Sequence, residues 1–171
     1  MCKECNKFKK YDNIMIKTAK LWAEESYCER AKVGAVISLG GRIISNGYNG
    51  TAPGAKNCCE EEALRCEDCG TRSNNCSELT CSKCGGKFIK DTKTKKDVVH
   101  AEANAILFAA RNGIKIEGST IYVTLAPCID CAKMIKHSGI KRVVYDSDYR
   151  KSEGIDFLKE NKVEVQNIKD L

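Results

Sequence analysis

Two short segments of this 171-residue chain carry residues whose types and spacing suit metal chemistry. VVHAEANAI supplies His100 and Glu102, and LAPCIDCAKMI supplies Cys128 and Cys131 after Pro127, with 24 residues between Glu102 and Pro127. One imidazole and two thiolates make three protein ligands, which leaves a tetrahedral zinc one open position for water. An open position marks a catalytic metal. Zinc lowers the pKa of such a water toward about 7, so hydroxide is available at neutral pH. Glu102, two residues from a ligand, is expected to move protons without coordinating the metal.

The elements that must position these groups are readable around them. Ala103, Ile106, Leu107 and Ala110 form an i, i+3, i+4, i+7 stripe that begins at His100 and closes at Gly113, a residue suited to a helix C-cap. Cys128 to Ser138 reads as a second helix with Gly139 as its stop, and Ser119 to Leu125 as the strand feeding it. Both halves of the constellation therefore fall at helix N-termini, where unpaired N–H groups and the dipole favour thiolate over thiol. This H-x-E…P-C-x-x-C pattern is the signature of the zinc deaminases of nucleobases, in which the glutamate protonates the ring nitrogen and the departing ammonia. A closed structural zinc and a redox dithiol are the competing readings. The first needs a fourth ligand that the segments do not supply, and no thioredoxin-like pattern surrounds the second.

Upstream, Tyr11 to Cys28 has helical apolar spacing, with Asp12 placed as a cap. Val33 to Leu39 and Arg42 to Tyr48 are β-rich runs joined by Gly40 and Gly41, which predicts a hairpin. Downstream, Arg142 to Tyr145 is a strand, Glu153 to Asn161 a helix and Val163 to Val165 a last strand. The fold class is thus α/β, with a mixed five-stranded sheet, a hairpin on one side, parallel strands on the other, and helices on both faces. Residues 1–171 read as one domain with an insert at about 58–97, overlapping a stretch from Gly50 to Lys96 that has no sustained period and reads as loop-rich.

Within the insert, Cys66-Glu67-Asp68-Cys69-Gly70 and Cys81-Ser82-Lys83-Cys84-Gly85 are two knuckles, 11 residues apart from Cys69 to Cys81. They predict a closed Cys₄ structural zinc, since so polar a segment has too little apolar area to order itself without metal. The chain holds twelve cysteines, yet 42% of it is hydrophobic and the N-terminus MCKECNKFKK has no apolar signal region, which argues against a secreted disulfide scaffold. No run approaches the roughly 18 apolar residues of a membrane span. The expectation is a soluble, cytoplasmic protein without membrane partners. The formal charge of +6 falls to +4 once one Cys₄ zinc, worth −2, is counted, so it argues only weakly for nucleic acid.

KVGAVI, GRIISNGYNG, NCC, HAEANAILFAARNG, IEGSTIYVTLAPCIDCAKMIKHSGIK and VVY together resemble the deoxycytidylate (dCMP) deaminase family, in particular its bacteriophage-type members, over Leu21 to Asn57 and Val99 to about Arg150. The resemblance implies a cytidine deaminase-like three-layer α/β/α fold, and hydrolysis of dCMP to dUMP and ammonia as a supply of dUMP for thymidylate synthesis. It also implies a homohexamer activated by dCTP and inhibited by dTTP. Carried over by position, Asn49 contacts the substrate nucleoside, the backbone around Ala101 and Cys128 meets the base carbonyl, and Tyr149 is a pocket aromatic. Phe108 and Arg111 match positions tied to subunit contact and effector response, with plain core packing the stronger expectation for Phe108. The loop from Gly50 to Lys56, with Gly54 and Lys56, would receive the triphosphate effector, with Mg²⁺ bound to it. In this loop the proline of GTAPG stands one residue later than in relatives. Cys28 and Cys58 match two ligands of a further structural zinc. The family's histidine ligand for that site is absent, which leaves Cys59, Cys76, Cys2 or Cys5 to replace it.

Two rivals are set against this reading. One is a deaminase acting on tRNA or another polynucleotide. The other is a zinc-ribbon nucleic-acid-binding protein resting on the knuckles and the basic run Lys87, Lys90, Lys93, Lys95 and Lys96; only Phe88 lies nearby as an aromatic for stacking, which weakens it.

Overall fold

A computed structural model describes residues 3–75 and 77–170, with side chains from residue 10 onward. In chain order the elements are α1 (Lys3–Glu24), β1 (Gly34–Leu39), β2 (Arg42–Tyr48), β3 (Glu60–Cys66), β4 (Arg72–Ser73), β5 (Phe88–Thr94), α2 (Ala101–Arg111), β6 (Thr120–Leu125), α3 (Ile129–His137), β7 (Arg142–Ser147), α4 (Glu153–Glu160) and β8 (Glu164–Asn167).

The main sheet runs β2-β1-β6-β7-β8. β1 pairs antiparallel with β2 and β6, while β6, β7 and β8 run parallel. The hairpin is as tight as its glycines allow: Leu39 faces Arg42, and Gly40 and Gly41 both have positive φ. Strand alternation then decides the layers. Ala35, Ile37, Ile121, Val123 and Val143 face one side, onto Ala105 and Ala109 of α2, Ile135 of α3 and Leu158 of α4. Val36, Tyr122 and Val144 face the other side, onto Met15, Ile16 and Ala19 of α1. Helix α1, with Ile168 beside it, covers one face, and α2, α3 and α4 cover the other. That is the three-layer α/β/α arrangement with a mixed five-stranded sheet expected from the sequence. No described helix is long and apolar enough to cross a membrane.

Two expectations are corrected. Helix α1 begins before Tyr11 and ends at Glu24, so Asp12 is not its cap. The Asp12 carboxylate is instead fully buried, accepting hydrogen bonds from Tyr122 Oη at 2.9 Å and from Arg142 Nη1 and Nη2 at 2.7 and 2.9 Å. Arg142 Nε reaches Glu164 at 2.9 Å, so one network ties α1 to β6, β7 and β8. The second correction concerns the stretch read as loop-rich, which contains a three-stranded antiparallel sheet, β4-β3-β5, registered from Glu60↔Thr94 to Cys66↔Phe88. Its strands are EEEALRC and FIKDTKT, where cross-strand charge replaces apolar alternation. Lys93 pairs with Glu61 at 2.8 Å, and Asp91 accepts from Arg72 Nε at 3.1 Å.

Removing one partner of a buried, fully hydrogen-bonded ion pair leaves the other charge uncompensated. Asp12→Ala should therefore lower unfolding stability by about 3–5 kcal/mol in urea titration. The exposed pair Lys115–Glu117 should cost under about 1 kcal/mol when broken.

Candidate active site

His100 and Cys128 are the N-cap residues of α2 and α3, both in extended backbone conformation, and Glu102 and Cys131 lie in the first turns. The helices can converge because of two close approaches. A side chain on Gly47 of β2 would put its Cβ 2.6 Å from Ala101 O and Ala105 N, so only glycine lets α2 lie this near the strand. A Cβ on Gly154 of α4 would fall on the Pro127 carbonyl and lie 2.8 Å from the Cys128 carbonyl carbon, so glycine there sets the position of the Cys128 backbone. The Asn104 amide adds a 2.6 Å hydrogen bond to Tyr48 O.

As a result His100 Nδ1 lies 3.6 Å from Cys128 Sγ and 3.4 Å from Cys131 Sγ, and the three donors are all within 4.8 Å of one another. The Glu102 carboxylate is not one of this group, although it is buried beside it. Two thiols and an imidazole at this spacing fit a zinc ion with one position left over. The protons divide unequally between the sulfurs. The hydrogen bond from Cys131, aided by His100, holds Cys128 as a thiolate with its pKa down to about 3, while that thiolate pushes the Cys131 thiol up. The Cys128 hydrogen bond also raises His100, against the effect of burial. Burial raises Glu102. A metal entering here displaces the remaining Cys131 proton and the His100 proton.

His100, Glu102 and Cys128 line a cavity of about 540 Å³, within the range of small-molecule sites, at the end of the sheet where β2, β6 and β7 finish. Asn49, Ala101 and Tyr149 all line it. Asn49 also does work the sequence did not reveal. Its Oδ1 accepts from Val33 N and its Nδ2 donates to Ala31 O, both at 2.8 Å, which holds the loop forming one wall. Gly54, Lys56 and Arg111 are exposed and do not line the cavity. Phe108 is half exposed on α2, which does not match simple core packing.

Cys66, Cys69, Cys81 and Cys84 form a second group of donors within 4.8 Å of one another. The two knuckles repeat one local geometry. Gly70 N and Gly85 N donate to Cys66 O and Cys81 O, while Cys66 N and Cys81 N donate to Thr71 O and Gly86 O. The Thr71 hydroxyl, 3.1 Å from Cys69 Sγ, holds that thiol down at about 6; the Gly86 N–H favours a thiolate at Cys84, but the neighbouring sulfurs push it up to about 12. Without a cation, four sulfurs this close cannot all ionise.

Of the cysteines that the resemblance groups at a further zinc, Cys28 meets Cys59, one of the replacements for the absent histidine, and not Cys58. Cys28 is joined to Cys59, and both are buried, whereas the Cys58 thiol lies 3.4 Å from Glu60 O. Adjacent residues entering an extended strand point to opposite sides, so only one cysteine of NCC can meet Cys28. Cys2 and Cys76 lie outside the described residues, as does the Cys5 side chain. Sequence reasoning missed Gly47, Gly154 and the cavity-lining Arg30, Arg72 and Arg150. No local pattern marks the arginines, because they reach the cavity from separate segments.

Residues 9–147 match the family described as cytidine and deoxycytidylate deaminase zinc-binding region. Among similar proteins, the deoxycytidylate deaminase of Enterobacteria phage T4 is 42% identical, with 91% of this chain and 89% of that protein aligned. The crystal structure of dCMP deaminase from the cyanophage S-TIM5, in complex with dCMP and dUMP, superposes with a TM-score of 0.69 at 33% identity and covers 98% of both chains. A structure from work on tRNA:A34 deaminases is 20% identical with a TM-score of 0.54, covers 91% of both chains, and shares the fold alone. The two-segment donor cluster, the buried glutamate beside it and the match across residues 9–147 lead to one conclusion: the chain belongs to the zinc-binding cytidine and deoxycytidylate deaminase family.

Proposed function

We propose that the chain hydrolyses dCMP to dUMP and ammonia, with zinc held by His100, Cys128 and Cys131. The observation that carries this reading is Glu102, buried beside three metal donors in a cavity of mononucleotide size. Bound zinc supplies Lewis acidity that makes a water nucleophilic at neutral pH. The protein's own groups do the rest. Asn49 holds the wall loop Ala31–Val33 against which the nucleoside rests, and the backbone around Ala101 and Cys128 meets the base carbonyl, with Tyr149 beside the ring. The Glu102 carboxylate takes the proton of the attacking water and passes it to the ring nitrogen next to the reacting carbon. It then takes the remaining proton from the hydroxyl added at that carbon and delivers it to the leaving amine, so the C–N bond breaks as the carbonyl forms. Burial, which raises its proton affinity, suits a group that must both accept and return a proton. The S-TIM5 relative, crystallised with dCMP and dUMP, supports this choice of substrate. The resemblance supports dUMP supply for thymidylate synthesis as the role, and ligands that must stay reduced fit a cytoplasmic enzyme.

Cys66, Cys69, Cys81 and Cys84 hold a structural zinc in the insert, residues 58–97, of a single domain. A nucleic-acid-binding role for this ribbon is disfavoured, since Lys95 Nζ of its basic run is engaged with Cys58 O at 2.8 Å and Phe88 alone lies nearby as an aromatic for base stacking. Regulation completes the proposal. dCTP with Mg²⁺ activates and dTTP inhibits a homohexamer, through the exposed Gly54–Lys56 loop and Arg111. Leu107 and Phe108, apolar yet half exposed next to Arg111 on the helix that begins at the metal donors, support a subunit contact there.

Three outcomes are expected. Glu102→Gln should keep the fold and its zinc yet lose about 10³-fold or more in kcat with dCMP; zinc loss in that variant would make Glu102 a ligand instead. Metal analysis should find at least two zinc ions per chain, and Cys69→Ser should lower thermal stability while His100, Cys128 and Cys131 still bind metal; a single zinc in the unaltered protein overturns the ribbon assignment. Initial rates across dCMP concentrations should shift about 5- to 150-fold in apparent affinity between dCTP and dTTP, each with Mg²⁺; identical hyperbolas from a monomer in sedimentation would remove the regulatory part.

A further inference from the structure

The cavity carries more positive charge than deamination needs. Cytosine is neutral, and the metal donors and Glu102 deal only with the base. Yet Arg30, Arg72, Lys93 and Arg150 line the same cavity, and among the described residues Asp148 is the only acid besides Glu102 to do so. Two of these cations come from the Cys-rich insert. Arg72 is on β4, three residues after Cys69, and Lys93 is on β5.

Their placement is built. Asp91 accepts from Arg72 through Nε at 3.1 Å and Nη2 at 3.0 Å, which fixes the guanidinium and leaves Nη1 for a ligand. Lys93 is held by Glu61. Arg30 latches the insert to the main body: its Nη1 donates to Thr92 O on β5, and the backbone N–H groups of Glu29 and Arg30 donate to Glu60 Oε1 at 3.1 and 3.3 Å. Arg150 makes no ion pair among the described residues.

We infer that the Cys-rich insert supplies the anion subsite of the active site, with Arg72 and Lys93, joined by Arg30 and Arg150, holding the nucleotide phosphate. The inference rests on the deaminase reading above and adds which residues make the enzyme prefer a nucleotide to a nucleoside. A phosphate dianion is matched by a guanidinium fork and an ammonium, and their hydrogen bonds to a charged group are the strong ones. The four-cysteine knuckles then have a use beyond stability. By fixing the turn that leads from Cys69 to Arg72, they set where one phosphate ligand stands.

The test compares dCMP with deoxycytidine, which has the same base and sugar and no phosphate. In Arg72→Ala/Lys93→Ala, kcat/KM for dCMP should fall about 30-fold or more, mainly through KM, while that for deoxycytidine changes less than about threefold. The preference for dCMP then collapses. Arg72→Lys, which keeps the charge and loses the fork, should fall between the wild type and the double variant. If the double variant loses its fold by circular dichroism, Lys93→Ala and Arg150→Ala are read on the same ratio. A preference within threefold of the wild type in the variants that fold overturns the inference. A wild-type enzyme that deaminates neither compound overturns the deaminase reading instead, and one that deaminates both equally overturns the phosphate subsite alone.

Discussion

Two sulfurs and an imidazole nitrogen are held within 4.8 Å of one another, and two thiolates at that distance repel. Without metal the cluster lowers that repulsion by keeping a proton on Cys131 while Cys128 ionises. The fold offsets the rest by pointing the N-termini of α2 and α3 at the same point, so that unpaired N–H groups and both dipoles face the negative charge. The convergence depends on glycine at two places, Gly47 under α2 and Gly154 behind Cys128. Both are packing positions with no chemistry of their own.

The sheet supplies the frame for that convergence. β6 sits between an antiparallel neighbour, β1, and a parallel one, β7, so the strand ends that open toward the site come from both halves of the domain. β1 is buried along nearly its whole length and cannot shift without exposing Val36 on one face or Ile37 on the other. Under α1, the Asp12–Arg142–Tyr122 network binds the remaining layer with directional contacts. A deaminase site needs such stiffness, since displacement of a proton-transfer group by about 1 Å is enough to lose much of its rate.

The insert is built on different principles from the main body. Its strands are short of apolar residues and are registered by charge pairs and by two cysteine knuckles. Few apolar contacts leave its order to local cross-links, the four gathered sulfurs of Cys66, Cys69, Cys81 and Cys84 and the join of Cys28 to Cys59 at its base. It nevertheless forms part of the cavity wall, so a marginally apolar segment and the reaction centre share one site.

The sequence by itself determined which histidine and cysteines gather as donors, the glutamate buried beside them and the helices that present them. His100, Glu102, Cys128 and Cys131 sit at fixed spacings within two helix starts, and the stripe from Ala103 to Ala110 and the Gly40–Gly41 turn are local patterns of 3.6 and 2 residues. The mixture of a hairpin with parallel strands followed from crossover length, while the strand order did not. Tertiary structure alone decided the rest: that β3 and β5 pair, that Cys59 and not Cys58 meets Cys28, that Asp12 is buried against Arg142, and that Arg30, Arg72 and Arg150 share a cavity. Each of these joins residues far apart in the chain, some by charge and some by side-chain direction. Neither leaves a periodic trace, because periodicity records only which face of an element is apolar and never which distant partner that face will find.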